Sequence, residues 1–100
     1  MPRRYQIHAR APADRQFECD AAKSDANFEK HGLDLSAARL IFRGRVLVRR
    51  DTRKRREAIH RALGEFTGHV IFVVYTVRAG RFRLISARFA TAEETALYHE

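Results

Sequence analysis

The chain has 100 residues, a formal net charge of +8 and a single cysteine, Cys19. This length suits one domain with a modest core, and no apolar run approaches the roughly eighteen residues that predict a membrane-spanning helix. One cysteine excludes an internal disulfide and is typical of a reducing compartment, so we expect a cytoplasmic protein.

Positive charge is concentrated in the second half of the chain. Residues 1–37 hold six Lys or Arg and six Asp or Glu, whereas residues 38–92 hold fourteen Lys or Arg and three acids. A basic block of this density is the usual electrostatic signature of nucleic-acid binding. Composition by itself leaves two alternatives open: an acidic protein partner, or simple solvation of an arginine-rich surface.

The N-terminal third predicts a loose extension, a short strand and a helix. Residues 1–16 contain two prolines and no sustained period, with at most a short strand at residues 5–8. Residues 17–19 alternate and predict a strand. The next segment predicts a helix over residues 21–30, capped by Asp20 and ended by Gly32. Its i, i+4, i+7/8 stripe is either a solvated face or a functional one, and comprises Lys23, Asn27 and either Lys30 or His31.

The middle of the chain predicts a second short helix, one strand and a basic segment. Ser36 is the N-cap candidate for a helix over residues 37–42, before Gly44. Residues 46–48 predict a strand. Residues 49–56 carry six Lys or Arg and almost no apolar content. We expect a loop or an extended edge there, because nothing in it can face a core; the run indicates nucleic-acid binding or a disordered arm.

The last third predicts a set of neighbouring strands. Residues 57–64 are compatible with a strand and lead through a loop at residues 64–68 to the apolar run Val70–Val77, typical of a strand buried on both faces. A turn follows at residues 78–81, where Gly80 can adopt a positive φ. Residues 82–89 then predict the returning strand.

The chain ends with a predicted helix, since Thr91 and Glu94 have the spacing of a capping box. The fold class is therefore α+β: a small antiparallel sheet of about four strands with two N-terminal helices and one C-terminal helix. We place this single domain at residues 17–100.

Two separated motifs resemble the BrnT family of bacterial type II toxins, which share the RelE-like ribonuclease fold. The family pattern Phe-x-Trp-Asp-x-x-Lys-x-x-x-Asn-x-x-Lys-His-Gly is matched by residues 17–32. The second motif comprises Val73–Thr76, Arg78, Arg83, Ile85–Arg88, Ala90, Glu94 and Tyr98. The resemblance implies an endoribonuclease that inhibits translation. It also implies a cognate, BrnA-like antitoxin that masks the basic sheet, forms a hetero-oligomer with the toxin and represses its operon through a DNA-binding domain.

The chain departs from the family pattern at two positions. Cys19 stands where the family usually has Trp, which alters packing. Ile59 stands where the family commonly has Arg, and His60 and Arg61 are the nearest polar residues. If the missing Arg is catalytic in relatives, the alternative function is a weakened or inactive basic module that binds an antitoxin or nucleic acid.

RNA cleavage without a metal needs a 2′-hydroxyl nucleophile, proton transfer, and positive charge on the phosphate. Arg88 and Arg83 are the catalytic candidates for the phosphate, since a guanidinium binds two oxygens and keeps its charge. His60 is the candidate for proton transfer, with Lys30 and His31 as the competing pair. The RNA-binding candidates are Arg78, Arg61, Lys30, His31, Lys23 and Tyr98.

Each of these candidates also has a structural alternative. The arginines suit salt bridges at an edge, and Tyr98 suits packing as well as stacking on a base. Strand alternation puts Arg83 and Arg88 on opposite faces, so they share a pocket only if a twist or bulge intervenes. We expect no metal and no other cofactor, because one cysteine cannot complete a zinc site and the histidines lack ligand spacing.

Overall fold

One sheet carries all the strands of the computed structural model, which describes residues 6–7, 17–51 and 59–100. The strands are β1 (Gln6–Ile7), β2 (Phe17–Glu18), β3 (Val46–Asp51), β4 (Ile59–Phe66), β5 (His69–Arg78) and β6 (Arg81–Phe89). The helices are α1 (Ala21–His31), α2 (Leu35–Ala38), which continues as a 3₁₀ turn over Arg39–Arg43, and α3 (Ala92–Tyr98). Among the described residues, no helix has the length and apolar character needed to cross a membrane.

The predicted α+β class is confirmed, but the sheet differs from the prediction. Its order is β1-β3-β4-β5-β6-β2, so the described part has six strands rather than about four. The four predicted strands form the antiparallel centre, whereas β2 pairs parallel with β6. The two outer strands have two residues each: β2 confirms the strand predicted at residues 17–19, and β1 lies within the short strand allowed at residues 5–8 of the expected loose extension. Such short edge strands owe their pairing to tertiary contacts rather than to local sequence.

Helix α1 has the predicted boundaries. The Asp20 carboxylate accepts a hydrogen bond from the Ala22 amide at 2.7 Å, and Gly32 ends the helix in the left-handed region at φ 78°. The capping box of α3 is also present, with Thr91 accepting from the Glu94 amide and Glu94 accepting from the Thr91 amide.

The cap of α2 was predicted wrongly. Asp34, rather than Ser36, is the N-cap, and it accepts from the Ala37 amide at 2.7 Å. The Ser36 hydroxyl donates to the same carboxylate at 2.8 Å. These two hydrogen bonds, the backbone one foremost, lower the pKa of Asp34. The helix therefore begins two residues earlier than predicted and is completed by a 3₁₀ turn.

The β4–β5 and β5–β6 hairpins each turn on two residues with positive φ. Thr67 and Gly68 have φ values of 47° and 84°, and Ala79 and Gly80 have values of 51° and 77°. Positive φ at both positions is the type I′ turn, whose twist suits a hairpin. The predicted turn at Gly80 is confirmed, and the loop before β5 is shorter than predicted.

Strand β3 also runs further than predicted, through Arg49 to Asp51. Of the two alternatives for the basic segment, a loop or an extended edge, these three residues adopt the extended one, and residues 52–56 of the basic run lie outside the described part of the chain.

The register separates the two faces of the sheet, because residues directly opposite each other on antiparallel strands share a face. One face, here called the core face, carries the paired residues Val48, Ala62, Val73 and Ala87. It packs against α2 and the 3₁₀ turn, whose apolar side chains Leu35, Ala38, Ile41 and Phe42 are buried. The other face packs at one end against Leu97 and Tyr98 of α3.

Helix α1 lies along the β6 edge and is joined to it by Asn27. The Asn27 side-chain amide donates to the Ala87 carbonyl at 2.8 Å and accepts from the Ala87 amide at 3.1 Å. It also donates to the Leu33 carbonyl at 2.7 Å. A side-chain amide that bonds both backbone groups of one residue takes the place of a neighbouring strand. Beyond the end of the β2–β6 pairing, Asn27 therefore provides hydrogen-bond partners for the backbone of β6 at the edge of the sheet.

Candidate nucleic-acid interface

A β-bulge in β6 brings the two leading arginines onto one face of the sheet. Arg88 is opposite Phe72 and Arg83 is opposite Thr76, and the register shifts between these pairs, where Val74 is opposite Ser86 and Tyr75 is opposite Leu84. Ile85 is thus the extra residue. Since Phe72 and Thr76 are an even number of residues apart on β5, their partners point to the same side. The expectation that alternation separates Arg83 from Arg88 is corrected by this bulge.

Two more arginines lie on this face. Arg61 is opposite Val74 on β5 and opposite Arg49 on β3. We call this surface the arginine face and define it by Arg49, Arg61, Arg83 and Arg88 around a floor of Val74, Thr76 and Ser86. The Cα atoms of Arg83 and Arg88 are separated by roughly 13 Å, from four strand residues at about 3.3 Å each. Their long side chains, together with Arg61, can therefore contact neighbouring phosphates of one strand.

Arg88 is firmly held on the arginine face. Its guanidinium makes a double hydrogen bond to Glu94 of α3, at 2.8 and 3.1 Å, and lies 4.1 Å from the centroid of the Phe72 ring. The side chain is still 34% exposed. Hydrogen bonding from Arg88 is the largest of the effects that lower the pKa of Glu94. Arg88 therefore has both a structural contact and an accessible surface.

Helix α3 provides an acidic wall beside the arginine face. A groove of about 490 Å³ runs between them, lined by Arg49 on the sheet and by Glu93, Glu94, Ala96, Leu97 and Glu100 on the helix side. The groove thus has cationic and anionic sides, and a bound polyanion would meet attraction from the sheet and repulsion from the helix.

Arg83 has a different setting at the opposite edge. It lines a shallow pocket of about 240 Å³ with Glu18, Cys19 and Asp20. Burial, the largest effect, raises the pKa of Cys19, so its thiol is not activated. Arg83 and Thr76 are cross-strand neighbours, and the Thr76 hydroxyl is buried without a hydrogen-bond partner among the residues that the structure describes.

His60 lies on the core face, away from the arginines. Its ring stacks on Tyr75 at 5.1 Å, and Tyr75 stacks in turn on Phe82 at 4.8 Å. Tyr75 is 1% exposed, and burial raises the pKa of its hydroxyl. The structure therefore does not bring His60 together with Arg83 and Arg88, because adjacent strand residues point to opposite faces.

The polar stripe predicted on α1 contains both buried and exposed residues. Asn27 is buried in its contact with β6, so its role is structural, while Lys23 and Lys30 are exposed and His31 is half-buried in the last turn. All of them belong to the helix at the β6 edge rather than to the arginine face.

The two remaining RNA-binding candidates lie at opposite ends of the fold. Arg78 is exposed at the end of β5, opposite Arg81, whose Nη1 atom is 3.8 Å from Glu18. Tyr98 is buried: its hydroxyl donates to the Arg45 carbonyl at 2.8 Å and the Arg45 guanidinium covers its ring. The alternative of packing, rather than of stacking on a base, therefore describes Tyr98.

Sequence reasoning did not select Arg49 or the contact between Arg88 and Glu94. Leu47 and Arg49 are two residues apart and share a face of β3, but the predicted strand ended at residue 48 and the following segment was expected to be a loop or an extended edge. In the part of the chain that the structure describes, no group of three or more His, Cys, Asp or Glu side chains could hold a metal ion.

Comparison with known families places the chain among toxins of the ribonuclease class. Residues 19–94 match the family described as the ribonuclease toxin BrnT of the type II toxin–antitoxin system. The chain belongs to this family, and the resemblance seen in the two motifs is confirmed. It is thus a type II toxin of the ribonuclease class, a kind of protein that has a cognate antitoxin. Searches of curated proteins and of solved structures gave no match.

Proposed function

We propose that the chain is a metal-independent endoribonuclease that inhibits translation and is neutralised by a BrnA-like, DNA-binding antitoxin. The observation that carries the proposal is the arginine face, where three strands, β3, β4 and β6, present four guanidinium groups around an apolar and hydroxyl-bearing floor. Phosphate contacts dominate the affinity of proteins for nucleic acids, and fixed cations stabilise the charge that develops on a phosphate under attack.

In the proposed reaction, the 2′-hydroxyl of the substrate loses its proton to water and attacks the adjacent phosphorus. The P–O5′ bond breaks and the leaving 5′-oxygen takes a proton from water, which gives a 2′,3′-cyclic phosphate and a 5′-hydroxyl. Arg88 and Arg83 bind the non-bridging oxygens, and Arg61 holds the strand between them. Within β3–β6 the two described histidines, His60 and His69, have core-face register positions. The proposal therefore bases catalysis on electrostatic stabilisation by arginine rather than on proton transfer by His60.

The test is cleavage of a short single-stranded RNA by the purified chain in EDTA. Arg88→Ala should slow cleavage by about 10²–10³-fold, the usual cost of one lost oxyanion ligand. Arg61→Ala should slow cleavage at low RNA concentration by roughly 10-fold, because it removes one phosphate contact that holds the strand. Arg61→Ala should also reduce the slope of log affinity against log salt by about 0.7, the value for one phosphate contact on a single strand.

Arg50→Ala is the matched control, since it removes the same charge from β3. Arg50 is opposite His60 and so belongs to the core-face register. Its replacement should leave the cleavage rate within about twofold, because one exposed charge on the opposite side of the sheet contributes little at physiological salt. Equal losses for Arg50→Ala and Arg61→Ala would show that net charge, and not the arginine face, determines the activity.

One observation favours the alternative, a basic module without catalytic activity. Ile59 is opposite Thr76, so the position where the family commonly has Arg points to the arginine face. The chain thus lacks one cation at this face. If the wild-type chain binds RNA without cleaving it and Ile59→Arg gains cleavage, this alternative is correct.

A further inference from the structure

The hydrogen-bond donors of Arg88 are divided between the protein and the solvent. Its Nη1 atom donates to Glu94 Oε1 at 2.8 Å and to the Phe89 carbonyl at 3.2 Å, and its Nη2 atom donates to Glu94 Oε2 at 3.1 Å. A guanidinium has five N–H groups. Within the described part of the chain, the Nε–H group and the second Nη2 hydrogen have no acceptor, and these two donors lie along the same edge of the guanidinium.

That remaining edge has the geometry of a phosphate ligand. Two parallel N–H groups form the fork that binds carboxylate or phosphate oxygens in a bidentate manner. The Phe72 ring covers one face of the guanidinium, with its centroid 4.1 Å from the Cζ atom, and Glu94 binds the two terminal nitrogens, Nη1 and Nη2. The 34% exposure of the Arg88 side chain leaves surface through which an anion can approach.

We propose that Glu94 is a positioning residue, which holds the Nη1–Nη2 edge of Arg88 so that the Nε–Nη2 edge binds a phosphate of the RNA. The inference rests on the proposed function and names a residue that acts through Arg88 without touching the substrate. A free arginine must lose much of its rotational freedom when it binds a phosphate, whereas one that is already fixed loses little. Positioning of this kind lowers the activation barrier, so its loss should reduce kcat and leave KM nearly unchanged.

The capping box makes Glu94→Gln an informative substitution. Glu94 Oε1 accepts from both the Arg88 Nη1 atom and the Thr91 amide, at 2.8 and 2.9 Å. A glutamine oxygen can keep the cap, since Gln also serves in capping boxes. It cannot keep the charge or the second acceptor for Nη2. The matched control is Thr91→Ala, which removes the Thr91 half of the box but leaves the carboxylate on Arg88.

Two roles for Glu94, positioning Arg88 or competing with the phosphate for its N–H groups, predict opposite results for Glu94→Gln in the RNA-cleavage assay with EDTA. Positioning predicts a fall in kcat of about 10–100-fold, comparable with the loss of an orienting neighbour, with KM within threefold of the wild-type value. Thr91→Ala should keep kcat within twofold. If Glu94 instead competes with the phosphate, Glu94→Gln will cleave RNA as fast as the wild type or faster, and that result would overturn the inference.

The pH profile provides a readout that a purely structural role would not change. Arg88 lowers the pKa of Glu94, so the contact is complete above the ordinary carboxylate range and is lost as pH falls through the lowered pKa. The charged groups that face Glu94 are Arg88 and, along the groove, Arg49, Glu93 and Glu100. We expect the wild type to lose kcat on this acid side and Glu94→Gln to show no such loss.

A binding measurement separates failure of this inference from failure of the proposed function. The probe is a single-stranded oligonucleotide with 2′-deoxyribose at every position, which cannot be cleaved. The NMR signal of Arg88 Nε–H should shift on binding in the wild type, and the shift should be weaker in Glu94→Gln. If the wild type cleaves no RNA but shows this difference, only the enzymatic function fails. An Nε–H signal that does not move in the wild type overturns the role of Glu94.

Discussion

Replacing Asn27 with alanine should lower the free energy of unfolding by about 2.5 kcal/mol, because this side chain completes the edge of the sheet. The substitution removes hydrogen bonds to the Leu33 carbonyl, the Ala87 carbonyl and the Ala87 amide. A buried polar group left without its partner costs about 1–3 kcal/mol. We take about 1 kcal/mol for each of the three hydrogen bonds, the low end of this range, because water can reach the edge of the sheet; the sum is roughly 3 kcal/mol. The better helix propensity of alanine returns about 0.5 kcal/mol.

Chemical denaturation followed by circular dichroism measures this change, and thermal unfolding should show a decrease of about 10–20 °C in Tm. Asp25→Ala is the control, because it lies on the exposed side of the same helix and gains the same kind of propensity. Asn27→Asp should be at least as unstable as Asn27→Ala, since a carboxylate would face two carbonyl oxygens. A loss below about 1 kcal/mol for Asn27→Ala would refute the reasoning, because it would mean that water replaces the amide at little cost.

Three further substitutions test the sheet. Gly64→Ala places a Cβ atom 2.6 Å from Ile41 Cβ and should cost about 1–3 kcal/mol in urea unfolding, whereas Gly44→Ala, which meets nothing within 4 Å, should be neutral; equal effects would contradict the close packing at Gly64. Thr67→Asn should raise the free energy of unfolding by about 0.5–1 kcal/mol, because a β-branched residue is strained at φ 47°; a decrease would show that the threonine is not strained there. Thr76→Val should leave stability unchanged or raise it by up to about 1 kcal/mol, since it removes a buried hydroxyl without a partner, and a clear loss would reveal a partner for that hydroxyl.

The helix ends were predictable because their signals are local. Asp20 and Gly32 bound α1, and the Thr91–Glu94 spacing marks the start of α3, as the structure confirms. The prediction of Ser36 as the N-cap of α2 failed for a local reason as well. Both side chains are good caps, and sequence alone does not show that the Ser36 hydroxyl donates to the Asp34 carboxylate.

Parts of the sheet were not predictable, because their causes are distant in sequence. The parallel pairing of β2 with β6 joins residues more than sixty positions apart. The bulge at Ile85 depends on the register of β5 against β6, which no local pattern of residues 82–89 shows. Arg49 was not selected because its segment was judged by whether it could face a core, whereas the structure places Arg49 on the other face of the sheet, opposite Arg61.

The division of the sheet into two faces explains why the arginines rather than the histidines form the candidate site. On the core face, His60 extends the stack of Tyr75 and Phe82, so its ring is used in packing. On the arginine face, Arg49 of β3 is opposite Arg61 of β4, and Arg61 is opposite Val74 of the floor. A regular β6 would have turned either Arg83 or Arg88 to the core face, where a charge needs a partner at high cost. The single extra residue at the bulge therefore sets how many cations a bound phosphate backbone can meet, and a bulge next to an active site commonly has this role of redirecting a side chain.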